Sequence, residues 1–429
     1  MKKGVTFKFL ISASLLLVLT SCTGQLASTS EKSEASLSES GASTETSSVT
    51  ADGSGTLTPS SSDRGNYNTS YLGNAFKTSF NKNGWRMVWD EPSLEVGLST
   101  YTALGTAPNL TLRKGSTNNI ILTSDSQTLE MKKNLLGIDM AYNCNNVSLV
   151  AGALSLADMA LPASSFVNQD ANMYFTNDTL YWDFLDENGE ECTGLSSLMD
   201  LLFEGAMSAL SEGAPSTEIE FQHKGKYTLD GDMATLVMYL GLVLTGDYLW
   251  SNLVDPMIQS LWQSGAEITT TEKTENGEKV YDMAIKTDDP SVVLGSTDAL
   301  ESVAGMAGSL PADVDSMTDR DYSNYFSTFE YEMHFIYTMT TLKTMTTSIR
   351  ATANQEEVKR DILEDTELKA GDTKLGLESL DLSSVIDFTF DNNLTIDFPS
   401  FDGYVEQELP KIEISSLVGG GTTSSASSF

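Results

Sequence analysis

The sequence is short of positive charge. Its 429 residues carry 25 Lys and Arg against 60 Asp and Glu, a net charge of −35. Nucleic-acid binding draws on clustered Lys and Arg, and so does electrostatic adhesion to an anionic membrane. The missing basic face argues against both. The acidity serves solubility, and it would equally suit weak divalent-cation binding or a cationic partner. Histidine is scarcer still: only His223 and His334, far apart in the chain. A zinc site needs more His or Cys than the chain supplies. The sequence has no G-x-S-x-G, no H-E-x-x-H, no G-x-x-x-x-G-K-[ST] and no G-x-G-x-x-G after a strand, the patterns that place a nucleophile, a catalytic zinc or a phosphate. No metal and no cofactor is expected. The body also lacks a long apolar run. The most apolar stretch, 233–244, falls short of the ~20 residues of a spanning helix.

What is present begins at the N-terminus. Lys2, Lys3 and Lys8 precede an apolar run from Phe9 to Leu19, and Leu19-Thr20-Ser21-Cys22 follows. A basic head, a short apolar run and small residues before a cut site make a secretory signal peptide, residues 1–21. The last four residues resemble the lipobox of bacterial lipoproteins. That resemblance implies that the Cys22 thiol carries a diacylglycerol and that the peptide is cut just before it. Two acyl chains anchor where one would be marginal. The expected location is therefore the extracytoplasmic side of the cell membrane. Residues 22–65 hold the lipidated cysteine and a Ser/Thr-rich tether with almost no large apolar side chains, too little to offset the entropy of ordering. A similar tail, 419–429, closes the chain. Two further cysteines remain. Cys144 and Cys192 sit in no metal or C-x-x-C spacing; an exported protein can bridge them or keep two thiols.

Residues 66–418 form the body, one large domain or two similar halves. Alternation at period two dominates it. Trp85, Met87 and Trp89 fall on odd positions, Leu94, Val96 and Leu98 on even ones, and Ile138, Met140 and Tyr142 continue the pattern. Hairpins are expected around Asn177-Asp178 and Asn276-Gly277, with a strand at 219–229. From 325 to 339 the odd positions are almost all apolar: Tyr325, Phe329, Tyr331, Met333, Phe335, Tyr337 and Met339. That is one long strand with one buried face, its phase breaking near Thr341. A last hairpin is expected from Ile386-Phe388-Phe390 into Leu394-Ile396-Phe398. Its sequence is like that of 175–184, through an internal repeat or two independent uses of the same turn chemistry. Period changes to three and four over 195–211, and again where Val254, Met257, Ile258, Leu261 and Trp262 make a stripe opened by Asp255-Pro256 and ended by Gly265. Residues 233–244 read as a buried helix and 297–308 as a weaker one. The polar stretch 354–367 has no assigned element.

The fold expected is therefore α+β and β-dominated: a large twisted antiparallel sheet, a half-barrel or open barrel, with about three helical inserts on one face. Such a sheet with a lipid anchor resembles the half-barrel lipoproteins related to LolA and LprG. The resemblance implies a non-catalytic carrier of acyl chains between sheet and helices, with Trp250, Leu261, Trp262, Phe329, Tyr331 and Phe335 lining the space. The membrane, through the lipid on Cys22, and a hydrophobic small molecule or lipid are then its partners. An extracytoplasmic hydrolase with paired carboxylates of the glycosidase kind is an alternative reading, as is a structural or adhesive surface module. Carboxylates are too many to single out a pair. The acidic turn Asp186-Glu187-Asn188-Gly189-Glu190 reads as a solvated loop rather than a calcium loop, and His223 as a core residue.

Overall fold

The strand β1, Gly84–Thr106, is the spine of the molecule. Its apolar positions change from odd (Trp85, Met87, Trp89) to even (Leu94, Val96), yet they stay on one face. One extra residue near Glu91 and Pro92 makes a bulge: Asp90 pairs with Val385, but Ser93 already pairs with Ser383. Glu91 has φ 42° there. A bulge inserts one residue and so reverses the parity without turning the strand over. The two alternating runs that looked separate are one strand.

In this computed structural model the described residues are 64–106, 108–134, 137–151, 154–156, 159–161, 166–186, 188–191, 221–229, 245–294, 324–364 and 368–407. The expected helices at 195–211, 233–244 and 297–308 lie outside them, as do Cys22, Cys192, the tail and all of the expected tether but Arg64 and Gly65.

The remaining strands are β2 (Asn109–Thr123), β3 (Ser126–Asn134), β4 (Gly137–Ala151), β5 (Leu154–Leu156), β6 (Met159–Leu161), β7 (Phe166–Thr176), β8 (Thr179–Asp183) and β9 (Lys224–Thr228). Then come β10 (Glu267–Glu275), β11 (Glu278–Thr287), β12 (Phe326–Tyr337), β13 (Leu342–Ala353), β14 (Thr373–Phe390) and β15 (Val405–Glu406). All but β5 and β6 join one sheet, in the order β10-β11-β12-β13-β14-β1-β2-β4-β7-β8-β9-β15, with β3 bridging β1 and β4. Pairing is antiparallel except where β15 meets β9. The sheet is partly barrel-like, and the β-dominated antiparallel fold read from the sequence is the one found.

Both tight hairpins form as expected. Asn177 and Asp178, at φ 50° and 59°, join β7 to β8, and Asn276 and Gly277, at 52° and 82°, join β10 to β11. Paired positive φ is the turn that matches strand twist. The long strand β12 ends at Tyr337, where Thr338 Oγ1 accepts from the Thr340 and Thr341 N–H groups at 3.4 and 3.2 Å.

The last expected hairpin does not form. Residues 394–398 belong to no strand, because β14 already has β13 on one flank and β1 on the other. β13 already holds Ile386 and Asp387 on the flank that the hairpin would need. Ile396, Phe398 and Phe401 instead pack against Ala141, Tyr174 and Tyr181 on the opposite side of the sheet from Tyr142. The likeness to 175–184 therefore does not extend to structure.

Five helices lie among the described residues: α1 (Ser70–Phe80), α2 (Gly246–Leu249), α3 (Asp255–Ser264), α4 (Pro290–Leu294) and α5 (Gln355–Leu363). Asp255 is not the N-cap. The helix starts earlier, capped by Thr245, whose hydroxyl accepts from the Tyr248 N–H at 3.3 Å. It passes through a π-helical turn at Trp250–Val254 into α3. Pro256 has no N–H for the ladder, and a wide turn just before it absorbs the defect. The Asp255 carboxylate accepts instead from Thr69 Oγ1 at 2.7 Å and Gln259 Nε2 at 3.2 Å. Three helices, α1, α4 and α5, had no counterpart in the sequence reading. α1 buries Leu72, Ala75, Phe76 and Phe80, and Gly73 lets the Trp250 indole approach so closely that a Cβ would stand 2.8 Å from its Cε2. α5 is capped by Asn354 and buries only Val358 and Ile362.

Candidate functional site

Strand register places apolar side chains in continuous rows across one face of the sheet. One row runs Phe390, Trp85, Met131, Met140, Phe175, Leu180, Tyr227. The next runs Phe388, Met87, Leu129, Tyr142, Met173, Trp182, and ends at Gly225. A third runs Tyr331, Ile349, Leu382, Leu94, Leu122, Leu149, Phe166. Side chains directly opposite in paired strands share a face, so these rows form one apolar floor. Gly225 ends its row because the Trp182 ring lies over it, leaving no space for a Cβ.

Helices cover one end of this floor. Phe80 of α1 sits edge-on to Trp85, Phe388 and Phe390, with ring centroids 5.8, 6.0 and 5.0 Å away. Ser79 Oγ accepts from the Leu342 N–H at 2.9 Å, fixing α1 to β13. Trp250, Ile258 and Leu261 complete the cover and are buried with Met283, Phe335 and Tyr337. Farther along the floor, Met87, Met140, Leu149, Met173 and Leu180 are only half-buried.

The six proposed lining residues divide three ways. Phe329, Tyr331 and Phe335 lie on the covered part of β12, and Trp250 and Leu261 on the helices above it; all five are buried in the same apolar cluster. Tyr331 is shut off from water, its hydroxyl 3.9 Å from Met333 Sδ, and burial pushes its phenol well above the ordinary value. Trp262 packs against the margin of the same cluster, partly buried. Its Nε1 donates to the Gly65 carbonyl at 2.8 Å, and the Arg64 guanidinium lies 4.4 Å over its ring. Trp262 thus holds the start of the body. Gln259 does the same, accepting from the Tyr67 N–H and donating to its carbonyl at 2.9 and 3.0 Å. The half-buried methionines were not singled out from sequence, although Leu129 and Met131, and Ile138 and Met140, alternate visibly.

Of the titratable groups, Cys144 lies on the face of Met140 and Tyr142, in the same apolar cluster. Cys144 is a buried free thiol, and burial pushes it up to about 11. His223 is buried, its ring edge-on to Phe221 at 5.3 Å. His334 lies on the polar face, Nδ1 3.1 Å from Asp282 Oδ1 and Nε2 2.5 Å from Glu332 Oε1. Burial disfavours its charge, but the hydrogen bonds to Glu332 and Asp282 outweigh that and raise it above the ordinary imidazole value. Lys286 shares Glu332 at 2.5 Å. The 186–190 turn closes on itself: Asp186 Oδ1 accepts from the Asn188 and Glu190 N–H groups at 2.9 and 2.8 Å. Among the described residues no group of three His, Cys, Asp or Glu is placed to hold a metal ion, and no helix is long and apolar enough to cross a membrane.

Comparison with known proteins finds no family model that matches the chain, and no match among curated proteins.

Proposed function

We propose that the chain is a lipid-anchored extracytoplasmic binding protein that holds a hydrophobic ligand against the apolar floor of its sheet. One observation carries the reading. The apolar rows continue past the described helices that cover β12 to β14, and half-buried Met87, Met140, Leu149, Met173 and Leu180 lie there among buried Tyr142, Phe175 and Trp182. Methionine is unbranched and polarizable, and it adapts to a variable apolar partner. An apolar wall with few polar groups is the usual make-up of a small-molecule site. The lipid on Cys22 supplies the membrane attachment, and the Ser/Thr-rich tether sets the body at a distance from it.

Native mass spectrometry of the full chain carrying Cys22→Ser tests the carrier. The expected result is co-purifying lipid, or stoichiometric uptake of a pyrene-labelled acyl probe; a clean mass with no uptake sinks the reading. The same substitution tests the anchor in cells. It should release the protein from the membrane or leave an uncut precursor. A correctly cut variant that stays membrane-bound would mean that the body has an attachment of its own.

A further inference from the structure

The segment after β14 is a strap laid on the sheet. It leaves Phe390 through the exposed turn Asp391-Asn392-Asn393 and ends on β9, at one end of the strand order. From Thr395 to Tyr404 its hydrogen bonds among the described residues are internal, between Ser400 and Asp402. Rings hold this part to the outer face. Phe401 stacks on Tyr181 with centroids 3.8 Å apart, and Phe398 and Phe401 stand edge-on to Tyr174 at 6.3 and 5.9 Å. Tyr404 stands edge-on to Tyr181 at 5.5 Å, with the Lys224 ammonium 4.9 Å over its ring. Only at its end does the strap join the sheet. Val405 and Glu406 pair with Gly225 and Lys226, in the one parallel contact of the large sheet. The Gln407 N–H donates to the Lys226 carbonyl at 2.8 Å, and Gln407 Oε1 accepts from the Gln222 N–H at 2.8 Å.

A strand edge is a template for another strand, and among the described residues β9 has no other cover. Edge hydrogen bonds with ring contacts for alternate side chains are how an extended peptide is recognised by strand addition. The fitting peptide is written in this chain. Its charge fits too: Glu406 lies in register with Lys226, in a chain with only 25 basic residues. A segment held by rings and one short strand, and joined through a surface turn, is the kind that identical protomers exchange.

We propose that β9 and the rings of Tyr174 and Tyr181 form a strand-docking site for the strap of a second copy of this chain, a site that the chain's own strap fills in the monomer. The contacts are the same in both states. The states differ in the path of the chain through Asp391-Asn392-Asn393.

The test shortens that turn in the full chain carrying Cys22→Ser. Deleting Asn392 and Asn393 removes about 7 Å of reach, so the strap falls short of its own β9 but still meets a neighbour's. Light scattering should read about twice the mass of the parent monomer. Phe401→Ala and Tyr404→Ala together should return the deletion variant to a monomer, and so should an excess of a synthetic peptide of residues 394–407. A folded monomer from the deletion variant, or a dimer that survives the ring substitutions, overturns the proposal. Hydrogen exchange tests the parent chain directly. The Gln407 amide should exchange well ahead of the β7–β8 ladder, as a strap that opens by itself requires. Equal protection of the two would mean that the strap does not open apart from the sheet, and the proposal falls.

Discussion

Over β12 and β13 the floor meets α1 and the Trp250 turn, and Phe335, Tyr337 and Leu342 are sealed from water. Over β4 and β7 the same face offers Met140 and Met173, half-buried. The two regions share one sheet, one hydrogen-bonding pattern and one alternation. Among the described residues the helices lie over the first region; in the second, half-buried Met140 and Met173 sit beside buried Tyr142, Phe175 and Trp182. Methionine packs in many ways where rings pack in few, so the half-buried methionines should contribute less to stability than the sealed rings.

The largest test of that difference is a pair of truncations. Phe335→Ala should cost about 3–5 kcal/mol, as large-to-small changes in sealed cores do. Met140→Ala should cost well under that, since less apolar area leaves contact. Urea unfolding of the two variants measures both, and equal losses would mean that the two regions are packed alike. Next in size is Gly225→Ala. A methyl group there meets the Trp182 ring, and overpacking of this kind costs about 1–3 kcal/mol. Tryptophan fluorescence should report the displaced ring; an unchanged spectrum with full stability would show slack in that row.

A smaller effect is expected on the polar face of the covered region. His334 titrates higher in the folded protein than in the unfolded chain. Its contribution is therefore fully present below the ordinary value of 6.5 and is lost as pH rises through the raised folded value. The amount is no more than about 1 kcal/mol for a pair this exposed. Melting temperatures from pH 5.5 to 8.5 should fall slightly with rising pH, and His334→Gln should remove that part of the slope. The smallest change is kinetic. With its thiol buried and pushed up to about 11, Cys144 should be alkylated far more slowly in the native protein than in urea. Rapid native alkylation of Cys144, read by peptide mass, would show that the methionine-rich region opens frequently.

Much of the sheet is legible in the sequence because strand alternation is local. The turns Asn177-Asp178 and Asn276-Gly277 and the strand around Phe335 are set by neighbours in the chain. The hairpin at 391–398 misled because a hairpin needs a free edge, and whether β14 has one depends on β1, some 300 residues away. α5 hides among charges: one turn of Val358 and Ile362 gives little periodicity, although Asn354 followed by Glu356 and Glu357 is a start signal. α1 is marked by weak helix formers and by Gly73, which is there for Trp250 rather than for the helix. The candidate site was half legible. Phe329, Tyr331 and Phe335 share one strand face and could be grouped. Their meeting with Met140 or Met173 is a matter of register across seven strands, which no local pattern contains. Trp262 packs at the margin of that cluster and also closes on the segment at Gly65, a second contact that its amphipathic stripe does not reveal.

That closure has a mechanical consequence. Arg64 donates to the Trp262 and Ala266 carbonyls at 3.2 and 2.8 Å, where the last turn of α3 presents its negative end. Tyr67 and Thr69 are fastened a few residues on, to Gln259 and Asp255. A pull arriving along the N-terminal segment therefore enters the body through a helix, spread over several bonds loaded side by side.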